Sequence, residues 1–252
     1  MPVLFVGHGS PMNAIEDNRY AKTWKEIGKD IIRPEVILSV SAHWYTNGTL
    51  VSDTVDPKTV YDMYGFPDEL YRVKYPVKGS PETARRILEL AGSSVKVDNT
   101  WGIDHGTWSV LCRMFPEADI PVLQLSVDSH AHAETHYELG KRLTPLRDSG
   151  VLILGSGNVV HNLGMINWSM DGGESWAEEF DKHIKDNILK GKHQDIMNYD
   201  RAGASARLAV PTPDHFYPLL YVLGASKPDD KVTIFNESCV MGSLSMTSYL
   251  FL

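Results

Sequence analysis

Residues 37–45 read ILSVSAHWY, an apolar run with β-branched Ile37 and Val40 that closes on Ser41, Ala42 and then His43. A run this short and this uniformly apolar fits a strand buried on both faces, the condition of the inner strands of a parallel sheet. The same shape recurs in VLFVGHGSP at 3–11 and in VLILGSGNVVHN at 151–162, each again ending in small residues and a histidine. Along the rest of the chain, short apolar runs alternate with longer amphipathic stretches, the order produced when helices cross over between strands. The pattern predicts strands at 3–6, 35–41, 50–52, 121–126, 151–155 and 232–236. It predicts helices at 18–30, 81–91, 132–148, 174–189, 201–206 and 216–223, with Pro81 placed for a first turn and Pro145 for a frayed last one. The fold class is therefore α/β, with a largely parallel central sheet flanked by helices. Residues 55–79, crowded with Pro, Gly and Tyr around YDMYGFPDELY, predict a long aromatic loop able to wall a pocket. The last run, SCVMGSLSMTSYLFL at 238–252, predicts a final strand covering a sheet edge, or part of an oligomer contact.

No repeat, low-complexity tract or Ser/Gly/Pro-rich linker divides the 252 residues, so they read as one domain, 1–252. A formal charge of −8 without a basic stripe lacks the electrostatic footprint that nucleic acid or an anionic membrane requires, and favours a small-molecule partner. Cys112 and Cys239 each stand alone in apolar sequence. Neither a disulfide framework nor a CxxC motif can be built from them, which fits a reducing, cytoplasmic setting. The opening MPVLFVGHGSPM has no basic region and too short an apolar run for a signal peptide, and no later run approaches the length of a membrane span. A monomer or homodimer is the expected assembly.

Among ten histidines, four stand where a strand or its following loop ends: His8, His43, His161, and His215 in PTPDHFYPLL. The carboxyl ends of strands in open α/β sheets face a common crevice, so residues distant in sequence converge there. Each histidine alone is explained by capping a strand or turn. Together, with Gly7, Gly9, Ser10, Ala42, Gly155 and Gly157 letting backbone approach, they predict a metal site. His105, in WGIDHGTW at 101–108, has Asp104 beside it; it is a candidate to contact substrate or support the ligands, or the pair simply starts a helix near Thr107. His132 and His136 are four apart in SHAHAETH but lack the Glu of HExxH, and with His130 they read as a solvated helix start. His183 and His193 read as surface residues, and the stripe Trp176, Phe180, Ile184 as core. The glycine-rich turns at Ser10 and Ser156 match neither GxGxxG, nor a P-loop, nor a GxSxG elbow.

Taken in order, GHGSPM at 7–12, SAHW at 41–44, DHGTW at 104–108, GSGNVVHN at 155–162 and DHFYPLL at 214–220 resemble the class III extradiol dioxygenase superfamily, in its 4,5-DOPA dioxygenase extradiol branch. The resemblance covers nearly the whole chain. It implies a three-layer α/β domain with a mixed central sheet and the metal at one end. It implies that His8 and His43 ligate a divalent metal, that His161 and His215 complete or closely flank the site, and that His105 contacts substrate or moves protons. His161 is then either a further ligand or the base that takes a catechol proton. The implied reaction opens the ring of a catechol such as L-DOPA with O2. The branch is associated with zinc and the wider superfamily with ferrous iron, so Zn2+ is expected as bound and Fe2+ for turnover. The superfamily's carboxylate ligand has no obvious counterpart, Asp214 and Glu237 being the acidic residues of that region. Trp44 and Trp108 are expected to sandwich the ring, with Tyr64 in the loop wall. Two other readings use the same residues: a zinc-dependent hydrolase and a non-catalytic metal-binding relative.

Overall fold

The computed structural model describes residues 1–252. Ten strands form in chain order: β1 (Val3–Gly7), β2 (Val36–Thr46), β3 (Thr49–Val51), β4 (Val95–Val97), β5 (Val122–Asp128), β6 (Val151–Gly157), β7 (Val232–Phe235), β8 (Cys239–Val240), β9 (Leu244–Ser245) and β10 (Ser248–Phe251). Eight of them build one sheet in the order β4-β3-β5-β2-β6-β1-β10-β7, while β8 and β9 pair as a separate hairpin. The inner four, β5, β2, β6 and β1, are mutually parallel, and antiparallel joins occur at β3/β5, β1/β10 and β10/β7. Burial on both faces explains their uniform apolarity: Val3 and Phe5 enter the core on one side of the sheet, Leu4 and Val6 the core on the other.

The first core is covered by α2 (Pro81–Ala91), α4 (Ala133–Leu143), α5 (Ser175–Leu189) and α8 (Tyr217–Ala225), the second by α1 (Arg19–Asp30) and α3 (His105–Met114). The result is three layers around a mixed sheet. Short α6 (His193–Met197) and α7 (Ala204–Ala209) add Ile196, Ala206 and Ala209 to the first core. Local signals set the helix starts. The Asn18 side chain accepts the Tyr20 and Ala21 N–H groups ahead of α1, and Ser80 caps α2 with Pro81 in its first turn. Buried along its whole length, α8 has no polar face. No helix is long and apolar enough to cross a membrane.

Several expectations need correction. The helix expected at 132–148 ends at Leu143 and continues as a 3-10 segment, Thr144–Ser149, because Pro145 cannot donate to an α-helical ladder. The final strand β10 is no edge cover; it lies between β1 and β7 and pairs with both. The strand predicted at 35–41 runs on to Thr46, so His43 lies within β2 and not beyond it. There the pairing with β5 is irregular: five steps along β2, from Val40 to Tyr45, match two along β5, from Leu125 to Val127. This bulge re-aims His43 at the carboxyl end of the sheet.

Candidate metal centre

The ends of β1, β2 and β6 and the start of α8 meet at one point. His8 follows β1, His43 occupies the β2 bulge, and His215 lies two residues before α8. Their ligand atoms all lie within 4.8 Å of one another. His161, four residues beyond β6, stacks on His215 with ring centroids 3.4 Å apart and planes 4° from parallel. His105, the first residue of α3, packs against His43 at a centroid distance of 3.9 Å. Two glycines make this crowding possible. A Cβ on Gly157 would stand 2.1 Å from the His215 carbonyl oxygen, and one on Gly106 would stand 2.7 Å from the His43 ring.

The far nitrogen of each ring fixes what the near one can do. The Ser156 hydroxyl donates its single hydrogen to the Gly106 carbonyl at 2.5 Å, so in its 3.0 Å bond with His8 Nδ1 the serine accepts. His8 is therefore protonated on Nδ1 and bare on Nε2. His215 Nδ1 donates to the Asp214 carboxylate, and its Nε2 is buried without a partner. His43 Nδ1 faces Asp62 Oδ2 at 3.2 Å. With hydrogen on Nδ1 of both rings, the Nε2 atoms of His8 and His43, 3.2 Å apart, face each other with lone pairs. Two lone pairs at that distance repel unless a cation stands between, and ligand edges of ~3.3 Å are what bonds of about 2.0–2.1 Å produce around a tetrahedral ion.

Burial, then the charges of neighbouring histidines, hold the His8 and His215 pKa values well below the usual imidazole range. His43 is lowered to about 3 by burial and then His105, and His161 to about 4 by burial. At neutral pH these rings are uncharged and their lone pairs are available. Neutral imidazoles, each with its other nitrogen engaged by a hydroxyl or carboxylate, are the donor set of a divalent metal site. The set formed by His8, His43 and His215 is all nitrogen. Asp214 sits behind His215, and Glu237 pairs with Lys185 at the surface.

Asp62 was invisible to sequence reasoning, its only signal being an acidic residue among the aromatics of the expected wall loop. Asp104 is not the carboxylate that faces His105. It is fully buried and caps α3 through the Thr107 N–H, while accepting from Ser41 at 2.8 Å, Trp101 Nε1 at 3.0 Å and Gln124 Nε2 at 2.7 Å. Burial and then Asp62 push its pKa up against those donors. One of the two indoles, Trp108, is placed differently from expectation. Trp108 is a core residue, fully buried, with its N–H donated to the Val60 carbonyl at 2.9 Å, and Trp44 is 4% exposed. Tyr64 stands out on the loop at 91% exposure. His136 is no solvated residue but lies buried between α4 and α8, its Nδ1 3.0 Å from the Tyr221 hydroxyl. His193 is half-buried against Tyr137.

The profile of the family described as the catalytic LigB subunit of aromatic ring-opening dioxygenase matches residues 2–252. The chain belongs to that family. It is an oxidoreductase whose partners are a small aromatic molecule and O2, and a divalent metal is part of its chemistry. This LigB-family chain is 47% identical to a 4,5-DOPA dioxygenase extradiol of Escherichia coli (strain K12), over 98% of this chain and 93% of that protein. It is 42% identical to the 4,5-DOPA dioxygenase extradiol of Beta vulgaris, over 98% and 95%. The crystal structure of an uncharacterized protein from Escherichia coli K12 has the same fold, with a TM-score of 0.87, 43% identity and 99% of each chain covered.

Proposed function

We propose that residues 1–252 act as one catalytic domain that opens the ring of a catechol such as L-DOPA in the extradiol manner, with the metal held by Nε2 of His8, His43 and His215. The observation that carries this reading is the convergence of ligand nitrogens of His8, His43 and His215 within 4.8 Å of one another, with His215 Nε2 buried without any partner. A divalent ion there would supply a Lewis-acidic centre for the two neighbouring catechol oxygens and, as ferrous iron, the redox step with O2. Everything else falls to the protein. Neutral His161, stacked on His215, takes a catechol proton as general base in this reading. In the same reading His105, packed on His43, bonds to the catechol ring oxygens.

An all-imidazole set suits zinc, and zinc outcompetes ferrous iron at such nitrogen sites. The proposal is therefore Zn2+ in the protein as isolated and Fe2+ in turnover. Cys112 and Cys239 are free, in keeping with a cytoplasmic enzyme, working as a monomer or homodimer. The test is to strip the metal anaerobically, reload separate samples with Fe2+ and Zn2+, add L-DOPA and air, and follow the visible absorbance of a yellow ring-opened product. Colour with iron alone is expected. Colour with zinc alone, or none with either at confirmed loading, would overturn the proposal.

A further inference from the structure

Asp62 faces two histidines with one carboxylate. Its Oδ2 lies 3.2 Å from His43 Nδ1 and its Oδ1 lies 2.9 Å from His105 Nδ1, while Oδ1 also accepts the His105 backbone N–H at 3.0 Å. The side chain is 12% exposed. The stretch that delivers it is pinned on both sides. The Val60 N–H donates to the Ile103 carbonyl and the Ile103 N–H to the Lys58 carbonyl, both at 2.8 Å. Trp108 Nε1–H donates to the Val60 carbonyl at 2.9 Å, and the Tyr61 hydroxyl to the Val73 carbonyl at 2.6 Å. Buried Trp108 thus serves the site from behind, by fixing the loop that carries Asp62.

A carboxylate can only accept. Neither Nδ1 contact is a well-aligned hydrogen bond, but an imidazole lone pair turned toward a carboxylate oxygen at 2.9 or 3.2 Å would be repelled. The stable arrangement carries a hydrogen on Nδ1 of both rings, and in the neutral form of each ring that leaves Nε2 bare. The two rings are also in contact, with centroids 3.9 Å apart, so a change at one is felt by the other.

We propose that Asp62 is a positioning residue that sets the tautomers of His43 and His105 together, keeping a metal-binding Nε2 on His43 and making His105 a hydrogen-bond and proton acceptor toward substrate. The assignment rests on reading His43 as a ligand and extends it: the resting His105 receives a proton and does not give one. A residue that merely anchored its loop would fix neither tautomer.

The experiment uses the full chain, metal-free, with long-range 1H–15N imidazole spectra assigned by His43→Gln and His105→Gln, followed by zinc affinity from chelator competition. In the wild type, both rings are expected to carry hydrogen on Nδ1. Asp62→Asn keeps the size and one accepting oxygen but turns a donor toward one ring. At least one of the two rings should then switch to the Nε2–H form, and zinc affinity should fall by about 10–100-fold. Nε2–H on either ring of the wild type overturns the proposal, as do unchanged tautomers and unchanged zinc affinity in folded Asp62→Asn. Should that variant fail to fold, the wild-type spectrum alone decides. Because the spectra are recorded without metal or catechol, absent ring cleavage in iron-loaded wild type would remove the functional reading and leave a supporting tautomer result for Asp62 intact.

Discussion

Each proposed ligand imidazole is governed by the atom behind it: Ser156 behind His8, Asp214 behind His215, Asp62 behind His43. Removing such an atom should weaken metal binding without touching a ligand. Ser156→Ala leaves His8 Nδ1 and the Gly106 carbonyl unpaired, and Asp214→Asn weakens the hold on His215. Each is expected to lower zinc affinity by about 10–100-fold in chelator competition; affinity within twofold of wild type would show that these partners do not orient the ligands. The convergence of these histidines was legible in the sequence because a strand-end histidine in a parallel sheet has only one crevice to face. Their partners were not. Ser156 looked like a turn residue, and Asp104 looked like the partner of His105, because adjacency in sequence says nothing about which way an N-cap side chain points. Asp104 turns back into α3, and the role passes to Asp62, some forty residues earlier in a loop whose path depends on the finished sheet.

At the scale of elements, strand ends set the distances. The β2 bulge brings His43 to the end of β1, and the absence of a side chain at Gly157 lets the backbone of His215 lie against β6. Gly157→Ala places a methyl 2.1 Å from the His215 carbonyl oxygen, a contact that backbone cannot give way to without moving. The expected cost is about 1–3 kcal/mol in urea unfolding, together with weaker zinc binding; unchanged stability and affinity would mean that β6 and the His215 segment slide freely. Capped helices such as α1 and α2 could be read from sequence because their signals are local: Asn18, Ser80, Pro81. The two-residue strands β8 and β9 carry too few positions for a period of two to register, and three-residue β4 buries only Val95. The place of β10 between β1 and β7 is a matter of sheet order, which no local pattern encodes. His136 was misread for the same reason: the charged residues around it suit an exposed helix start, and only packing of α4 on α8 buries it.

For the whole molecule, the price of a metal site built from buried neutral histidines is sensitivity to acid. His136, outside the site, shows the sign: burial lowers its pKa from 6.5 to about 4, so between those values the unfolded chain binds a proton that the folded chain refuses. Its stabilising contribution is complete above pH 6.5 and is lost as the pH falls toward 4. Metal-free protein should lose urea stability over that window, and His136→Gln should lose it less steeply; equal slopes would show that His136 is not held neutral. The fold was recoverable from alternating runs along the chain, and the site from what the fold does to their ends. The central claim is that three specific imidazoles hold one ion. The direct measurement is the zinc content of wild type and of His8→Ala, His43→Ala, His215→Ala and His105→Ala after equilibration with zinc and desalting. About one zinc per chain is predicted for wild type and His105→Ala, and essentially none for the other three; stoichiometric zinc retained by His8→Ala or His215→Ala would contradict the account.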